Sequence, residues 1–222
     1  MVRQDKIGYI ITHFRVNGEP VTQQFDNPTD CLIRTILSQS TTDANRDNAF
    51  QSFKNNYSDL SKVVSDDIDR IAETIRVSGI ARKKALAIQQ VLIWCKQTFG
   101  EYALDNISSW DDEKIINELI KLKGIGYKTI AILLCFSLGR DVFPVDVHVH
   151  RIITRLGITQ KSLSPDKVFF KINPFVPYGK DYFLHVKLVK FGREKCRSRN
   201  PLCAECPFSQ LCDYDLNKND WA

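Results

Sequence analysis

Apolar residues recur every three or four positions along most of this chain, and glycines separate the recurring segments. Residues 65–79 begin with Ser-Asp-Asp and close on Gly79, and residues 83–99 stop at Gly100. Ser109 precedes a further apolar stripe. Each segment combines a polar residue that can cap a helix, side chains at helical spacing and a break after the last turn. The pattern restricts most of the chain to amphipathic helices.

Five further segments have helical patterns, and none of the chain alternates as a half-buried strand does. Residues 128–138 are nearly all apolar, which predicts a central buried helix. Pro144 within Val142–Val145 indicates a short extended connection rather than a paired strand. The sequence therefore predicts an all-α fold. The additional helices are predicted at residues 30–38, 43–54, 128–138, 147–156 and 181–191.

Composition and charge exclude some classes of protein. The chain has 222 residues, 43% of them hydrophobic, and a formal net charge of +5. It contains no apolar run of about 18 residues, so no membrane-spanning helix or membrane partner is expected. The N-terminus lacks the apolar core of a signal peptide, which predicts an intracellular protein. Residues 180–199 concentrate seven basic residues against two acidic ones, which favours a polyanionic partner.

Four cysteines lie within residues 196–212, with intervals of six, two and five residues between them: Cys196, Cys203, Cys206 and Cys212. Disulfides are rare inside cells, so this spacing favours a metal centre. Four thiolates can bind either zinc or an iron–sulfur cluster. The other three cysteines, at 31, 95 and 135, sit among apolar residues and are expected to be buried thiols.

A glycine-rich turn separates two predicted helices at Leu122–Thr129, where the sequence reads LKGIGYKT. Gly124 and Gly126 permit backbone conformations that other residues avoid, and they let a partner approach closely. The N–H groups that open the next helix can bind a phosphate. The segment therefore predicts either a DNA-binding helix-hairpin-helix motif or an ordinary tight turn between helices.

Lys128 stands in the first turn of that next helix, where the helix dipole disfavours a positive charge. The same field and partial burial would lower its pKa from the usual value of about 10.4. A deprotonated amine at this position could act as a nucleophile. The simpler interpretation is a lysine that contacts phosphate or solvent.

Asp146 follows Lys128 by 18 residues, in the sequence FPVDVHVHR. A helix over 129–139 travels about 16 Å, and an extended segment over 141–146 can return a similar distance. The Asp146 carboxylate could then deprotonate the lysine and stabilise positive charge on a sugar. Asp146 could also simply cap the helix that begins at Val147, and both roles are compatible. His148 and His150 are two residues apart, which makes them poor joint ligands.

LKGIGYKT, VDVH and the cysteine spacing together resemble the endonuclease III family of DNA glycosylases, which belong to the helix-hairpin-helix superfamily. The resemblance extends upstream to Leu37–Asp43, which reads LSQSTTD, and to Ser78–Ala85, which reads SGIARKKA. It covers about residues 27–212.

The resemblance implies a role for each matching residue. Lys128 would attack C1′ of a damaged nucleotide and form a Schiff base, and Asp146 would be the essential aspartate. The four cysteines would hold a [4Fe–4S] cluster, beside a basic loop over 197–202 that contacts DNA phosphate. Gln39 and Ile80 would lie in loops that fill the gap left by a flipped base. Contacts with DNA are expected at Gly124, Gly126, Tyr127, Gln39, Ser40, Ile80, Arg82, Lys83, His148, Arg197 and Arg199.

Two departures from the family pattern and two differences from related glycosylases bear on specificity. Lys123 replaces the proline that often precedes the hairpin glycine, and Ser40 stands where enteric-type enzymes have glutamine. Lys128 is not the tyrosine of thymine-mismatch glycosylases that lack strand cleavage. No C-terminal recognition domain like that of adenine-mismatch glycosylases is expected either. The last two differences favour a bifunctional enzyme that acts on oxidised pyrimidines.

The resemblance implies two helical domains with a DNA cleft between them. A six-helix barrel domain is expected at 28–141, with its hairpin at about 117–138. A discontinuous cluster domain is expected from 1–27 with 142–222, and its cluster loop at 196–212. The expected function is removal of thymine-glycol-type bases from double-stranded DNA by a monomer, with cleavage 3′ to the abasic site. The alternatives are a glycosylase for uracil, mismatched or abasic sites, and a non-catalytic DNA-binding iron–sulfur protein.

Overall fold

The computed structural model describes residues 3–18, 21 and 27–216 of the chain, with the side chains of Arg3 and Leu216 left aside. Helices, turns and irregular segments make up this described part, which contains no β-strand. The all-α prediction is confirmed. Residues 1–2, 19–20, 22–26 and 217–222, which the predicted cluster domain includes, lie outside the described residues.

The chain divides into two compact units. One unit is Phe25–Arg140, and the other combines Met1–Gln24 with Asp141–Ala222. The described helices of the first unit are α2 (Pro28–Leu37), α3 (Asp43–Asn56), α4 (Ser61–Ser65), α5 (Ile68–Thr74), α6 (Ala81–Phe99), α7 (Asp112–Leu119) and α8 (Tyr127–Ile132). Those of the second unit are α1 (Arg3–Asn17), α9 (Val147–Arg155), α10 (Pro165–Ile172), α11 (Asp181–Glu194) and α12 (Asp213–Leu216).

Side-chain caps begin several helices of the Phe25–Arg140 unit, and one of them corrects the sequence analysis. Asn27 and Thr42 accept backbone N–H groups at the starts of α2 and α3. The cap of α7 is Asp111, not Ser109, because residues 105–109 form a separate 3₁₀ turn. Gly100 ends α6 in the left-handed conformation, as predicted.

The apolar segment 128–138 is buried as predicted, but it is not one regular α-helix. α8 ends at Ile132, and Leu133–Ser137 continues it as a π-helical turn. Such turns insert one extra residue into a helix and are frequent near functional sites. Leu133 and Leu134 are fully buried, so the turn lies in the core of its unit.

An aromatic cluster in the other unit joins its N-terminal helix to the cysteine-rich segment. Phe208 is fully buried and makes edge-on contacts with Tyr9, His13, Phe14 and Phe191. Edge-to-face pairs of this kind add roughly 0.5–1.5 kcal/mol each beyond the burial of apolar area. Phe208 therefore anchors the cysteine-rich segment, which has few apolar residues of its own.

The same unit buries an acidic side chain. Asp181 is 4% exposed at the start of α11, and burial together with the nearby Asp141 carboxylate raises the pKa of Asp181 to about 7. Asp141 also accepts the backbone N–H of Gly179 at 2.6 Å. Folding therefore favours the protonated form of Asp181.

We expect Asp181→Asn to stabilise the protein more at pH 8 than at pH 5. The pKa of Asp181 is about 3.9 in the unfolded chain and about 7 in the folded protein. At pH values between these two, the folded state therefore binds one more proton than the unfolded state. The wild type should lose up to about 1.4 kcal/mol of stability per pH unit across that window, while asparagine should not. Thermal unfolding of both proteins from pH 4 to 8 measures this. Asp166→Asn, an exposed aspartate in the same unit, is the control, and a pH-independent difference for Asp181→Asn would contradict the assignment.

Candidate functional site

The predicted hairpin lies between α7 and α8, and Gly124 fixes its shape. Gly124 has φ of +89°, in the left-handed region that disfavours side chains. A Cβ placed there would lie 3.0 Å from Cβ of Ala87 in α6. Ile125, the next residue, is buried, and its N–H donates to the carbonyl of Leu122. Glycine is therefore required at position 124 for backbone conformation and for packing.

Gly126 has a different role, which corrects the expectation that both glycines need a special conformation. Its φ of −115° and ψ of 173° are extended values that any residue adopts. A Cβ at this position would meet no atom of the protein within 4 Å. Gly126 is also the N-cap of α8 and offers no side chain to the first N–H groups. The glycine keeps the surface in front of the helix open.

Lys128 is the second residue of α8 and is half-buried. The two residues that follow it, Thr129 and Ile130, are buried and fix the helix against the core of the Phe25–Arg140 unit. Tyr127, the first residue of α8, is also half-buried. The lysine is thus carried by a short, well-anchored helix directly after the open position at Gly126.

Asp146 lies in the other unit and caps α9, as the capping interpretation predicts. Its Oδ1 accepts the backbone N–H groups of His148 at 2.9 Å and Val149 at 2.8 Å. Both bonds use the same oxygen, so Oδ2 takes no part in the cap. One carboxylate can therefore hold the helix start and still present an oxygen for chemistry.

Two side chains that the sequence analysis missed hold the segment before Asp146. Asn173 bonds both backbone groups of Phe143. Its Oδ1 accepts the Phe143 N–H at 2.6 Å, and its Nδ2 donates to the Phe143 carbonyl at 3.1 Å. Nδ1 of buried His185 donates to the carbonyl of Pro144 at 2.9 Å. No sequence signal marks this role, since the two residues follow Phe143 by 30 and 42 positions.

The ring of His148 contacts a neighbouring arginine. Its Nδ1 lies 3.0 Å from the guanidinium of Arg151, which can only donate a hydrogen bond. Burial lowers the pKa of His148, and the Asp146 carboxylate opposes this shift to a smaller degree. Nε2 of His150 instead bonds the carbonyl of Leu163, so the two histidines have separate partners.

Two loops of the Phe25–Arg140 unit place unusual residues at the surface. Ser40 has φ of +51° and is exposed, and Ile80 has φ of +41° and is 52% exposed. A β-branched residue in the left-handed region is a conformational outlier, and such strain gathers at functional sites. Gln39 is half-buried, and its amide donates to the carbonyl of Gly124 at 3.1 Å.

The basic residues after Ile80 are also exposed. Arg82 makes an ion pair with Asp69, and both side chains are largely in solvent. Lys83 is exposed at the start of α6. Solvated cations beside the Ile80 turn are suited to a polyanionic partner.

The four predicted ligands, Cys196, Cys203, Cys206 and Cys212, line one pocket together with Arg155 and Tyr214. All seven cysteines are free thiols. Burial, and to a smaller extent the other three thiols, raises the pKa of Cys206 to about 11. Within residues 3–18, 21 and 27–216, no three His, Cys, Asp or Glu side chains converge as ligands of a single metal ion. The four cysteines nevertheless line the same pocket, and thiolate donors suit zinc or iron–sulfur groups.

Arg155 ties the cysteine segment to α9. Its guanidinium donates to the carbonyls of Arg197 at 2.7 Å and Ser198 at 3.1 Å, and it lies 3.5 Å from Sγ of Cys196. Sequence reasoning missed this arginine, which reads as part of an ordinary amphipathic helix. Its contacts fix the backbone of the basic loop, while the side chains of Arg197 and Arg199 remain exposed.

Comparison with known proteins identifies the family of the chain. The HhH-GPD superfamily of base excision DNA repair proteins matches residues 33–177, which include the hairpin, Lys128 and Asp146. The chain belongs to this superfamily. Endonuclease III of Sulfolobus acidocaldarius is 31% identical over 197 residues, which cover 84% of this chain and 82% of that protein. Endonuclease III of Thermotoga maritima is 29% identical over 195 residues, which cover 88% of this chain and 87% of that protein.

A longer relative from Arabidopsis thaliana, whose name assigns it to the DNA glycosylases, is 30% identical over 177 residues. The match covers 80% of this chain and 58% of that protein. Among HhH-GPD proteins, the present chain is an endonuclease III-like DNA glycosylase of base excision repair. The predicted family is confirmed.

Solved structures show the same fold. A trapped covalent intermediate of endonuclease III with DNA superposes with a TM-score of 0.82 at 24% identity, over 99% of this chain and 100% of that one. A thermostable thymine-DNA glycosylase superposes with a TM-score of 0.77 at 21% identity, over 97% of each chain. Within the described residues of this HhH-GPD protein, no helix has both the length and the apolar character needed to cross a membrane.

The two hairpin glycines should respond differently to the same substitution. Gly124→Ala should destabilise the protein by on the order of 1 kcal/mol or more, because it adds a Cβ at positive φ against Ala87. Gly126→Ala should leave thermal stability near that of the wild type and weaken binding to duplex DNA, because its methyl group enters the open surface. Calorimetry and fluorescence anisotropy with labelled DNA measure the two effects. Equal loss of stability in both variants would contradict this division of roles.

Proposed function

We propose that this HhH-GPD protein is a bifunctional DNA glycosylase and abasic-site lyase that removes oxidised pyrimidines of the thymine-glycol type from duplex DNA. The observation that carries the proposal is the hairpin, where Lys128 follows an unfilled surface at Gly126 on an anchored helix. A backbone with no protein atom within 4 Å of a Cβ position at Gly126, directly before a lysine, suits the approach of a nucleotide. The resemblance to endonuclease III supplies the roles of the individual residues.

In this proposal Lys128 is the nucleophile and Asp146 is the carboxylate that assists it. The lysine ammonium gives up a proton, and its nitrogen then attacks C1′ of the damaged nucleotide. The C1′–base bond breaks, the base leaves with the bonding electrons and a proton, and the sugar opens to a Schiff base. Loss of a proton from C2′ then breaks the C3′–O bond, and water releases the lysine.

The cap geometry supports the assignment of Asp146. Because Oδ1 accepts both backbone N–H groups, the carboxylate stays at the helix start and Oδ2 keeps its share of the negative charge. Asn173 and His185 fix the preceding segment, which limits the freedom of the carboxylate further. An immobile carboxylate is suited to stabilising charge that develops on a sugar.

Borohydride trapping on DNA with an abasic site tests the nucleophile. The wild type should form a covalent adduct, and Lys128→Ala should form none, because the reduced Schiff base needs the Lys128 nitrogen. Lys121→Ala is the matched control, since Lys121 is an exposed lysine of the same hairpin region that pairs with Glu118. Asp146→Asn should keep the α9 cap while release of thymine glycol falls about 10²- to 10⁴-fold.

Two outcomes would contradict the proposal. If the wild type forms no adduct, or Lys128→Ala is trapped as well as the wild type, the lyase assignment is wrong. The protein would then fit the alternative of a DNA-binding protein without catalysis. If duplexes with uracil, a mismatch or a bare abasic site are processed faster than thymine glycol, the substrate assignment is wrong and the enzyme class stands.

We also propose that Cys196, Cys203, Cys206 and Cys212 hold a [4Fe–4S] cluster in the domain formed by 1–27 and 142–222, and that the hairpin domain is 28–141. The four cysteines line one pocket, and the Arg155 guanidinium beside Cys196 supplies positive charge near thiolate ligands. When bound, such a cluster is a rigid, redox-capable tie between the segments that supply its ligands. The protein's own residues then present Arg197 and Arg199 to DNA, and the proposed active form is a monomer.

Anaerobically purified protein should absorb at around 400 nm and contain about four iron and four sulfide per chain. Cys203→Ser should lose most of the iron, because it removes one ligand. Cys95→Ser is the control, because Cys95 lies in the other unit and burial raises its pKa to about 12. A colourless protein with about one zinc per chain would favour the zinc alternative.

A further inference from the structure

Lys84 is a buried lysine whose amine is held by backbone carbonyls. It lies in α6 and is 1% exposed. Its Nζ donates to the carbonyl of Leu37 at 2.8 Å and to the carbonyl of Ser78 at 2.6 Å. Burial lowers the pKa of Lys84 to about 8. Burying an amine costs free energy, so an apolar side chain here would serve stability better unless the two contacts matter.

The two carbonyls stand at the bases of the two strained loops. Leu37 is the last residue of α2, directly before the loop with Ser40 at its tip. Ser78 precedes Gly79 and Ile80, which both have positive φ. A non-glycine residue in the left-handed region costs roughly 1–2 kcal/mol, and it persists only where its surroundings determine the backbone. Lys84 is a single group that contacts both loops where they begin.

The same face of α6 also supports the hairpin. Ala87 is three residues after Lys84, which makes the two neighbours on the helix surface, and Gly124 packs against Ala87. The Gln39 amide donates to the Gly124 carbonyl, so the first loop is joined to the hairpin as well. The loops at 38–42 and 78–80 and the hairpin are therefore connected through one turn of α6.

We propose that Lys84 is a positioning residue that holds the 38–42 and 78–80 loops at a fixed separation, so that Ser40 and Ile80 enter a lesion-bearing duplex as one rigid pair. The proposal rests on the glycosylase function proposed above. Two loops that are ordered before binding lose less conformational entropy when the base stack opens. The pair of loops should matter most for DNA in which a stacked base must be expelled. It should matter less for DNA with an abasic site, because an abasic nucleotide leaves the stack more easily.

The test compares two reactions of the same enzyme under single-turnover conditions. One is excision of thymine glycol from a duplex, and the other is borohydride trapping on a duplex with a preformed abasic site. Lys84→Met, which keeps the length of the side chain and removes its donors, should lower excision about 10- to 100-fold and trapping much less. Its global thermal stability should stay near that of the wild type, because removal of a buried amine offsets the loss of the donor to the carbonyls of Leu37 and Ser78. Hydrogen exchange should rise in both loops.

Lys96→Met is the matched control, because Lys96 lies in the same helix and also donates to a backbone carbonyl, that of Gly100, at an exposed site. It should behave as the wild type in both reactions. If Lys84→Met does not fold, Lys84→Gln keeps one donor group in the same space, and its ratio of excision to trapping should also fall.

The possible results separate the two proposals. An unchanged ratio in the folded Lys84 variant would overturn the positioning role, and so would equal loss of both reactions together with lost stability, which marks a merely structural lysine. A wild type without excision or trapping would instead refute the proposed function.

Discussion

The close approach of the hairpin to α6 is the contact on which the candidate site depends. Gly124 comes so near Ala87 that no side chain fits between them, and this contact sets where α8 starts. α8 carries Lys128, so a packing constraint in the core fixes the position of the proposed nucleophile. The proposed function therefore depends on a glycine that has no chemistry of its own, because a side chain at position 124 would be strained at positive φ and would crowd the Ala87 side chain.

In the other unit, hydrogen bonds rather than close packing position the Asp146 carboxylate. Asp146 must be held still without losing its charge, and the cap achieves this through one oxygen. Asn173 and His185 restrain the extended segment that leads to it. Backbone groups in an extended segment lack helical partners, so side chains from distant helices supply them. The same bonds that satisfy the backbone position the carboxylate.

The cysteine segment has little apolar material of its own, and the structure anchors it from outside. Phe208 sits among four aromatic rings, and Arg155 bonds the carbonyls of the basic loop. A metal centre would add a third anchor in the proposed holoprotein. With the backbone held in this way, Arg197 and Arg199 can remain in solvent, where cations contact phosphate at small desolvation cost.

The sequence by itself determined the helical class, the cap at Asp146 and the family, because these depend on local spacing and on motifs read along the chain. It could not separate Gly124 from Gly126, since backbone angles and the distance to Ala87 exist only in the folded chain. Lys84 reads as one more residue of a basic helix start, and only packing shows that it is buried between two loops. Tertiary structure decided these roles because burial and hydrogen bonding join residues that lie tens of positions apart, and no local pattern encodes which of them meet.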